Sequence, residues 1–115
     1  MTNTLLISIK IYSIFFSYHS ILLFCFAKKY KIKVIEDSAQ ALGSKNLEGY
    51  LGTQSDCGCF SLSVAKTIST GQGGFIATNN NALAKNIRLI RTHGIVNVNN
   101  FEKWNLFGFN FRYTD

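Results

Sequence analysis

Short apolar runs alternate with polar turns along most of the chain, and this alternation predicts its elements. In "KVIED" (33–37) an apolar run ends in two carboxylates, as in a buried parallel strand. Two strand-like runs flank a polar turn in "EGYLGTQSDCGCFSLS" (48–63), and another strand is predicted in "GGFIATNN" (73–80). Strands that alternate with a helix rather than with regular hairpins indicate an α/β domain with a mostly parallel sheet.

One segment has the period of an amphipathic helix. In "NALAKNIRLIRTHG" (81–94), Leu83, Ile87 and Ile90 recur at i, i+4 and i+7, while the basic residues fall on other faces. Gly94 is able to end this helix, since glycine adopts the left-handed conformation that closes many helices.

The first 27 residues are much more apolar than the rest, so composition divides the chain near residue 28. Residues 11–26 contain no Asp, Glu, Lys or Arg, yet they fall short of the roughly 20 residues that span a bilayer. Three interpretations stay open: a buried element or pair of elements, a membrane-like segment, or a stretch never selected to fold with the rest. The pattern favours the last two. We therefore expect an apolar leader over 1–27 and a partial cofactor-binding domain over 28–115.

Charge and cysteine content narrow the class of protein. The formal net charge is +6, but the basic residues are scattered and are not interleaved with aromatics, which argues against nucleic-acid binding. Three cysteines without a disulfide-scaffold spacing suit the reducing cytoplasm. Cys57 and Cys59 would point to one side of a strand, but two thiols and a distant His93 fall short of a zinc site, so no metal is expected.

The residues that suggest chemistry follow the predicted strands. Ligands of open α/β sheets bind outside the carboxyl ends of strands, which is where Asp37 and then Gln40 stand. Ser61 lies in a later strand-like run, and Lys66 follows five residues after it, ahead of a glycine-rich turn that includes Gly71. Taken singly, each has an ordinary structural explanation, but their order suits a site for an aldehyde cofactor.

These motifs resemble one known family. "VIEDSAQALGS" (34–44), "GCFSLSVAKTISTGQGGFIAT" (58–78), "IRLIRTHG" (87–94) and "FGFNFRYTD" (107–115) are similar to motifs of the DegT/DnrJ/EryC1/StrS sugar aminotransferases, in the family's order. The resemblance implies a pyridoxal-phosphate enzyme of the aspartate aminotransferase fold. The expected fold is therefore a partial three-layer α/β/α large domain of fold type I with a mostly parallel sheet.

The resemblance also implies roles for five residues. Lys66 would form the Schiff base with pyridoxal 5′-phosphate and move a proton as a free amine, while Asp37 would pair with the protonated ring nitrogen. Gln40 would contact the ring near its phenolic oxygen, and Ser61 would bind the cofactor phosphate. Asn110 would reach the phosphate in the neighbouring subunit, which implies a homodimer with shared sites.

The chain departs from the family pattern in places. Gln72 stands where the family commonly has Glu in its glycine turn, a change that keeps the turn glycines and should cost little. Glu36 matches no role in the family pattern. Arg91 and His93 are expected either to be structural or to line the substrate entrance.

The implied activity is amino transfer to a nucleotide-linked keto sugar in amino-sugar or polysaccharide biosynthesis, with glutamate as the expected amino donor. The sugar, its carbon and its nucleotide stay undetermined. The alternative is a catalytically inactive, truncated remnant that associates with membranes, through its apolar leader, or with a full-length relative. Retention of Lys66 argues against the family's dehydrating variant, which replaces that lysine.

Overall fold

A computed structural model describes residues 6–12, 18–98 and 101–111. The elements in chain order are β1 (Leu6–Tyr12), α1 (Tyr18–Lys29), β2 (Lys33–Gln40), β3 (Lys45–Asn46), β4 (Gly49–Tyr50), β5 (Cys57–Ser61), β6 (Gly74–Ala77), α2 (Asn81–Arg91), β7 (Ile95–Val98) and β8 (Phe101–Trp104). They form two compact units, residues 1–79 and 80–115. The division expected near residue 28 therefore falls inside the first unit.

The first unit is built on a four-stranded sheet in the order β1-β2-β5-β6. The pairs β1–β2 and β2–β5 are parallel, and β6 runs antiparallel to β5. This four-stranded sheet is thus mixed but mostly parallel, as predicted for an α/β domain. The apolar run of "KVIED" forms β2, between two parallel neighbours, as its pattern predicted.

The described residues of the apolar leader form part of this unit. Residues Leu6–Tyr12 pair with β2 in parallel register, and α1 brings Ala27 into a core with Val34. This differs from the favoured interpretation of a membrane-like or unfolded stretch. The physical reason is that an apolar run also suits a strand and helix that bury part of their surface in a β-α-β unit. No helix in the described ranges is long and apolar enough to cross a membrane.

Alternation of side chains gives β2 two different faces. Val34, Glu36 and Ser38 are buried on one face, whereas Asp37 on the other face is only partly buried. On neighbouring β5, Phe60 lies on the buried face and stacks on Phe75 of β6 with ring centroids 4.6 Å apart. On the other face Cys57 is buried, whereas Cys59 and Ser61 are only partly buried. The core thus lies on one side of the sheet and leaves the side of Asp37 accessible.

The second unit contains the predicted amphipathic helix and a hairpin. The side chain of Asn80 caps α2 by accepting the Leu83 N–H at 3.0 Å. The helix ends at Arg91, and the Gly94 N–H, in a left-handed glycine with φ +72°, donates to the Leu89 carbonyl at 2.7 Å. The helix is therefore confirmed, and Gly94 takes part in its closing turn, although the cap is Thr92 and the first left-handed residue is His93.

Candidate functional site

Asp37 lies near the carboxyl end of β2 and on its accessible face. In the sheet it stands opposite Cys59 of β5. Its carboxylate accepts a 3.2 Å hydrogen bond from the Ala39 N–H. Among the side chains that the structure describes, the only ion pair joins Lys33 and Asp56. Asp37 is therefore a half-buried carboxylate, and its register partner on the other neighbouring strand, β1, is Lys10.

Ser61 ends β5, the parallel neighbour of β2, two residues beyond Cys59 and so on the same face. Its Oγ accepts the Ser63 N–H at 3.4 Å and lies 3.3 Å from the Ser63 Oγ. The Ser63 carbonyl in turn accepts the Lys66 N–H at 3.0 Å. A chain of hydrogen bonds thus ties the backbone of Lys66 to the end of the strand that carries Ser61.

Lys66 lies in the segment between β5 and β6, whose two arms are held together by backbone hydrogen bonds. The Leu62 N–H donates to the Gly73 carbonyl at 2.9 Å, and the Leu62 carbonyl accepts the Thr70 N–H at 3.0 Å. Gly71 has φ +82°, which a glycine adopts at little cost. The Lys66 side chain is half-buried, and no hydrogen bond or ion pair to its ammonium occurs within the described ranges.

The other two predicted site residues, Gln40 and Asn110, lie in different units of the structure. Gln40 is exposed at the last position of β2, so Asp37, Gln40 and Ser61 stand at the carboxyl ends of two adjacent parallel strands. Asn110 belongs to the second unit, where it forms an antiparallel bridge with Thr92. Its position is thus described only within residues 80–115, apart from the other four.

Arg91 and His93 also lie in the second unit, at the end of α2. The Arg91 carbonyl accepts the Phe111 N–H at 3.0 Å, and the His93 N–H donates to the Phe109 carbonyl at 3.0 Å. His93 has a positive φ of 63°. Their backbones therefore hold the segment that carries Asn110, which agrees with the structural alternative for both residues. The last four residues of "FGFNFRYTD" lie outside the described ranges.

Sequence reasoning assigned no role to Glu36, and the structure gives it a structural one. Its side chain is fully buried. Oε2 accepts the Gly52 N–H at 2.7 Å, and Oε1 accepts the Gln54 N–H at 2.9 Å. A buried carboxylate is tolerated when backbone donors satisfy it. The alternation of side chains along the strand could have indicated this, since it places Glu36 and Asp37 on opposite faces and so gives them different surroundings.

The two strand cysteines share one face, as the sequence predicted. Burial raises the pKa of the Cys57 thiol, and the charges of neighbouring acidic groups raise it further. Burial also raises the pKa of Cys59, with a further contribution from the charge of Asp37, while a hydrogen bond from Cys57 opposes the increase. Both thiols are free, and within the described ranges no group of three His, Cys, Asp or Glu side chains could hold a metal ion.

These residues fit a phosphorylated aldehyde cofactor. Asp37 has a carboxylate available for a ring cation, Lys66 has an amine without a described partner, and Ser61 presents a hydroxyl on the face of Asp37. Aldehyde capture requires such an amine, and a pyridinium nitrogen requires such a carboxylate. Together with the mixed sheet, they define the class: part of the large domain of a fold type I pyridoxal-phosphate aminotransferase.

The chain belongs to the DegT/DnrJ/EryC1/StrS aminotransferase family, whose model matches residues 23–115. Members of this family depend on pyridoxal phosphate or pyridoxamine phosphate. The match begins within α1, five residues before the boundary expected at residue 28.

Similar proteins fall into the same class. The chain is 38% identical over 90 residues to UDP-4-amino-4,6-dideoxy-N-acetyl-beta-L-altrosamine transaminase of Campylobacter jejuni, covering 77% of this chain and 24% of the relative. Helicobacter pylori PseC, an aminotransferase of pseudaminic acid biosynthesis, is 30% identical with a TM-score of 0.77, over 84% of this chain and 26% of that one. Bacillus subtilis NtdA, solved with bound pyridoxamine phosphate, is 34% identical with a TM-score of 0.73, and the match covers 96% of this chain and 24% of NtdA. The chain thus spans about a quarter of the length of these proteins.

Proposed function

We propose that the protein is the cofactor-holding part of an aminotransferase that acts on a nucleotide-linked keto sugar. The observation that carries the proposal is the placement of Asp37 and Ser61 on one face of two adjacent parallel strands, with Lys66 tied to the end of the second strand. Membership of a family of sugar aminotransferases supports the same activity.

Each residue would have a distinct task. Bound pyridoxal phosphate supplies an aldehyde that takes up an amino group and a ring that withdraws electrons. The carboxylate of Asp37 would keep a proton on the ring nitrogen, and the Ser61 hydroxyl would donate to the phosphate. The amine of Lys66 would hold the aldehyde and, once released, take the proton from the substrate carbon. Gln40 would orient the ring near its phenolic oxygen.

The substrate class is proposed from the relatives. The Campylobacter relative is a transaminase of a UDP-linked amino sugar, and PseC takes part in the biosynthesis of pseudaminic acid, which favours a keto sugar carried on a nucleotide as amino acceptor. Glutamate is the proposed donor. The same lysine would serve both half-reactions, so the donor would leave as 2-oxoglutarate before the sugar binds.

We further propose that two subunits complete each site, with Asn110 of one subunit donating to the cofactor phosphate of the other. The antiparallel bridge between Asn110 and Thr92 supports this role, because it fixes the Asn110 backbone beside the end of α2. Three free thiols favour the cytoplasm as the compartment.

Single-turnover chemistry tests the proposal. The protein, loaded with pyridoxal phosphate and mixed with glutamate without sugar, should release 2-oxoglutarate in an amount equal to the bound cofactor. Subsequent addition of the keto sugar should restore the original absorption spectrum. A Lys66→Ala variant should lose the turnover. Absence of 2-oxoglutarate from a preparation that demonstrably holds the cofactor would refute the activity.

A second candidate function is non-catalytic association with a longer relative. It is favoured by large apolar side chains exposed within their own unit, such as Leu22 at 67% and Val64 at 77%. Surfaces of this kind mark contact sites or cause aggregation. Sedimentation separates the candidates: a monodisperse dimer supports the first, whereas aggregation relieved by a full-length relative supports the second.

A further inference from the structure

Cys59 occupies a central position on the accessible face of the sheet. It stands opposite Asp37 of β2 on one side and opposite Ile76 of β6 on the other. Paired residues on neighbouring strands project to the same face, with Cβ atoms about 5 Å apart. The thiol of Cys59 and the carboxylate of Asp37 are therefore direct neighbours.

The same face continues toward Ser61. Strand period places Cys57, Cys59 and Ser61 on one side of β5, while Gly58 and Phe60 point to the core side. Cys59 thus lies between the carboxylate proposed for the ring nitrogen and the hydroxyl proposed for the phosphate. Its side chain is only partly buried, so the position is accessible from the face of Asp37.

The charges around Cys59 are few. Asp37 faces it from β2, Cys57 precedes it on β5 and donates a hydrogen bond to its sulfur, and β6 contributes the uncharged Ile76. Lys10 of β1 is the register partner of Asp37, one strand further away. Burial and the Asp37 charge raise the pKa of Cys59, so the thiol is neutral at pH 7.

We propose that Cys59 lines the cofactor pocket beside Asp37, where a compact neutral thiol leaves the carboxylate free to pair with the ring nitrogen. The inference rests on the proposed function and adds a residue to its site. A larger group on this sulfur would occupy the space next to Asp37. Cofactor binding and alkylation of Cys59 should therefore exclude each other.

Alkylation by iodoacetamide provides the measurement. The Cys59 thiolate attacks the methylene carbon, a carbon–sulfur bond forms, iodide leaves, and the thiol proton passes to solvent. Mass spectrometry of peptides gives a rate for each cysteine. Pyridoxal phosphate at ten times its dissociation constant should slow alkylation of Cys59 about tenfold, because only the free protein reacts. Exposed Cys25 is the internal control and should keep its rate.

The variant Asp37→Asn tests, without the cofactor, whether Asp37 and Cys59 are direct neighbours. Asp37→Asn removes the nearby negative charge, so the pH profile of Cys59 alkylation should move to lower pH, while that of Cys25 stays in place. Glu48→Gln, which removes an exposed carboxylate, is the matched control and should move neither profile. An unmoved Cys59 profile in Asp37→Asn would overturn the inference.

Trapping on Lys66 separates failure of this inference from failure of the proposed function. If borohydride fixes pyridoxal phosphate on Lys66 while Cys59 keeps its rate, the function stands and the inference is overturned. If no cofactor is fixed on Lys66, the proposed function fails, and the lining role of Cys59 fails with it. Trapping together with protection of Cys59 supports both.

Discussion

Glu36 and Gly52 are joined by a 2.7 Å hydrogen bond from the glycine N–H to a carboxylate that is fully buried. The second oxygen of Glu36 accepts the Gln54 N–H, so one side chain fixes the segment that leads into β5. Gly58 on β5 packs so closely on Gly52 that a Cβ would meet the Gly52 carbonyl. This contact packs the Gly52 segment against the paired strands β2 and β5, on the face opposite Asp37 and Ser61.

The first prediction concerns this buried carboxylate. Glu36→Gln replaces one acceptor with an amide N–H that faces a backbone N–H, so a buried donor is left unpaired. We expect the free energy of unfolding to fall by about 2–3 kcal/mol. Urea unfolding measures the change, with exposed Glu48→Gln as the control. Equal stability of the two variants would show that Glu36 does not hold the segment.

Two glycines with the same backbone conformation provide a matched pair. Gly52 and Gly71 both have φ +82°, but a Cβ on Gly52 would collide with the Phe60 ring and the Ser38 Oγ, whereas a Cβ on Gly71 would meet nothing within 4 Å. Gly71→Ala should cost about 1–2 kcal/mol of stability from the left-handed conformation alone. Gly52→Ala should cost about 1–3 kcal/mol more from overpacking. Denaturant midpoints that coincide would contradict the packing around Gly52.

Ser38 offers a substitution that should stabilise the protein. Its Oγ is buried, and no hydrogen-bond partner for it occurs among the described residues. Ser38→Ala removes this hydroxyl and should raise the free energy of unfolding by about 1 kcal/mol. Ser55→Ala is the counterpart, because the Ser55 hydroxyl donates to the Cys57 carbonyl at 3.3 Å and its loss should be slightly destabilising. Thermal unfolding measures both changes: Ser38→Ala should raise the melting temperature, and Ser55→Ala should lower it slightly.

Asp56 should make stability depend on pH. Burial opposes its ionisation, but hydrogen bonds from Lys33 and the Val34 N–H and the charge of Lys33 outweigh burial and lower the pKa. A lowered pKa in the folded state stabilises the protein above the unfolded pKa, about 3.9, and this stabilisation is lost as pH falls through the folded value. Both side chains are partly exposed, so the contribution is about 1 kcal/mol or less.

The corresponding measurement compares the wild type with Asp56→Asn in urea between pH 7 and pH 2. The wild type should be more stable at neutral pH, and the difference should shrink below about pH 4. A difference that is constant across the range would mean that the Lys33–Asp56 pair does not contribute.

Local pattern was sufficient to predict β2, which carries Asp37, and the helix α2. The apolar run before Asp37 forms a parallel strand, and the spacing of Leu83, Ile87 and Ile90 forms α2. In both segments, period and the residues that end the element agree, so local signals and tertiary structure coincide. The order of Asp37, Ser61 and Lys66 along the chain then indicated a cofactor site.

Long-range contacts were beyond what the pattern could show. The apolar run before residue 28 is consistent with a membrane segment and with a buried strand and helix, and only pairing with β2 decides between them. Glu36 was missed because its partners, the N–H groups of Gly52 and Gln54, lie 16 and 18 residues away. The position of Cys59 beside Asp37 likewise depends on the register in which β2 and β5 pair.

The most direct test of the cofactor site is a map of the lysines that pyridoxal phosphate modifies. The protein is incubated with the cofactor, reduced with borohydride and digested, and the labelled peptides are identified by mass spectrometry. The account predicts that label concentrates on Lys66, and that Asp37→Asn weakens cofactor binding without moving the label to another lysine. Label spread over exposed lysines such as Lys28 and Lys85, with none on Lys66, would contradict it.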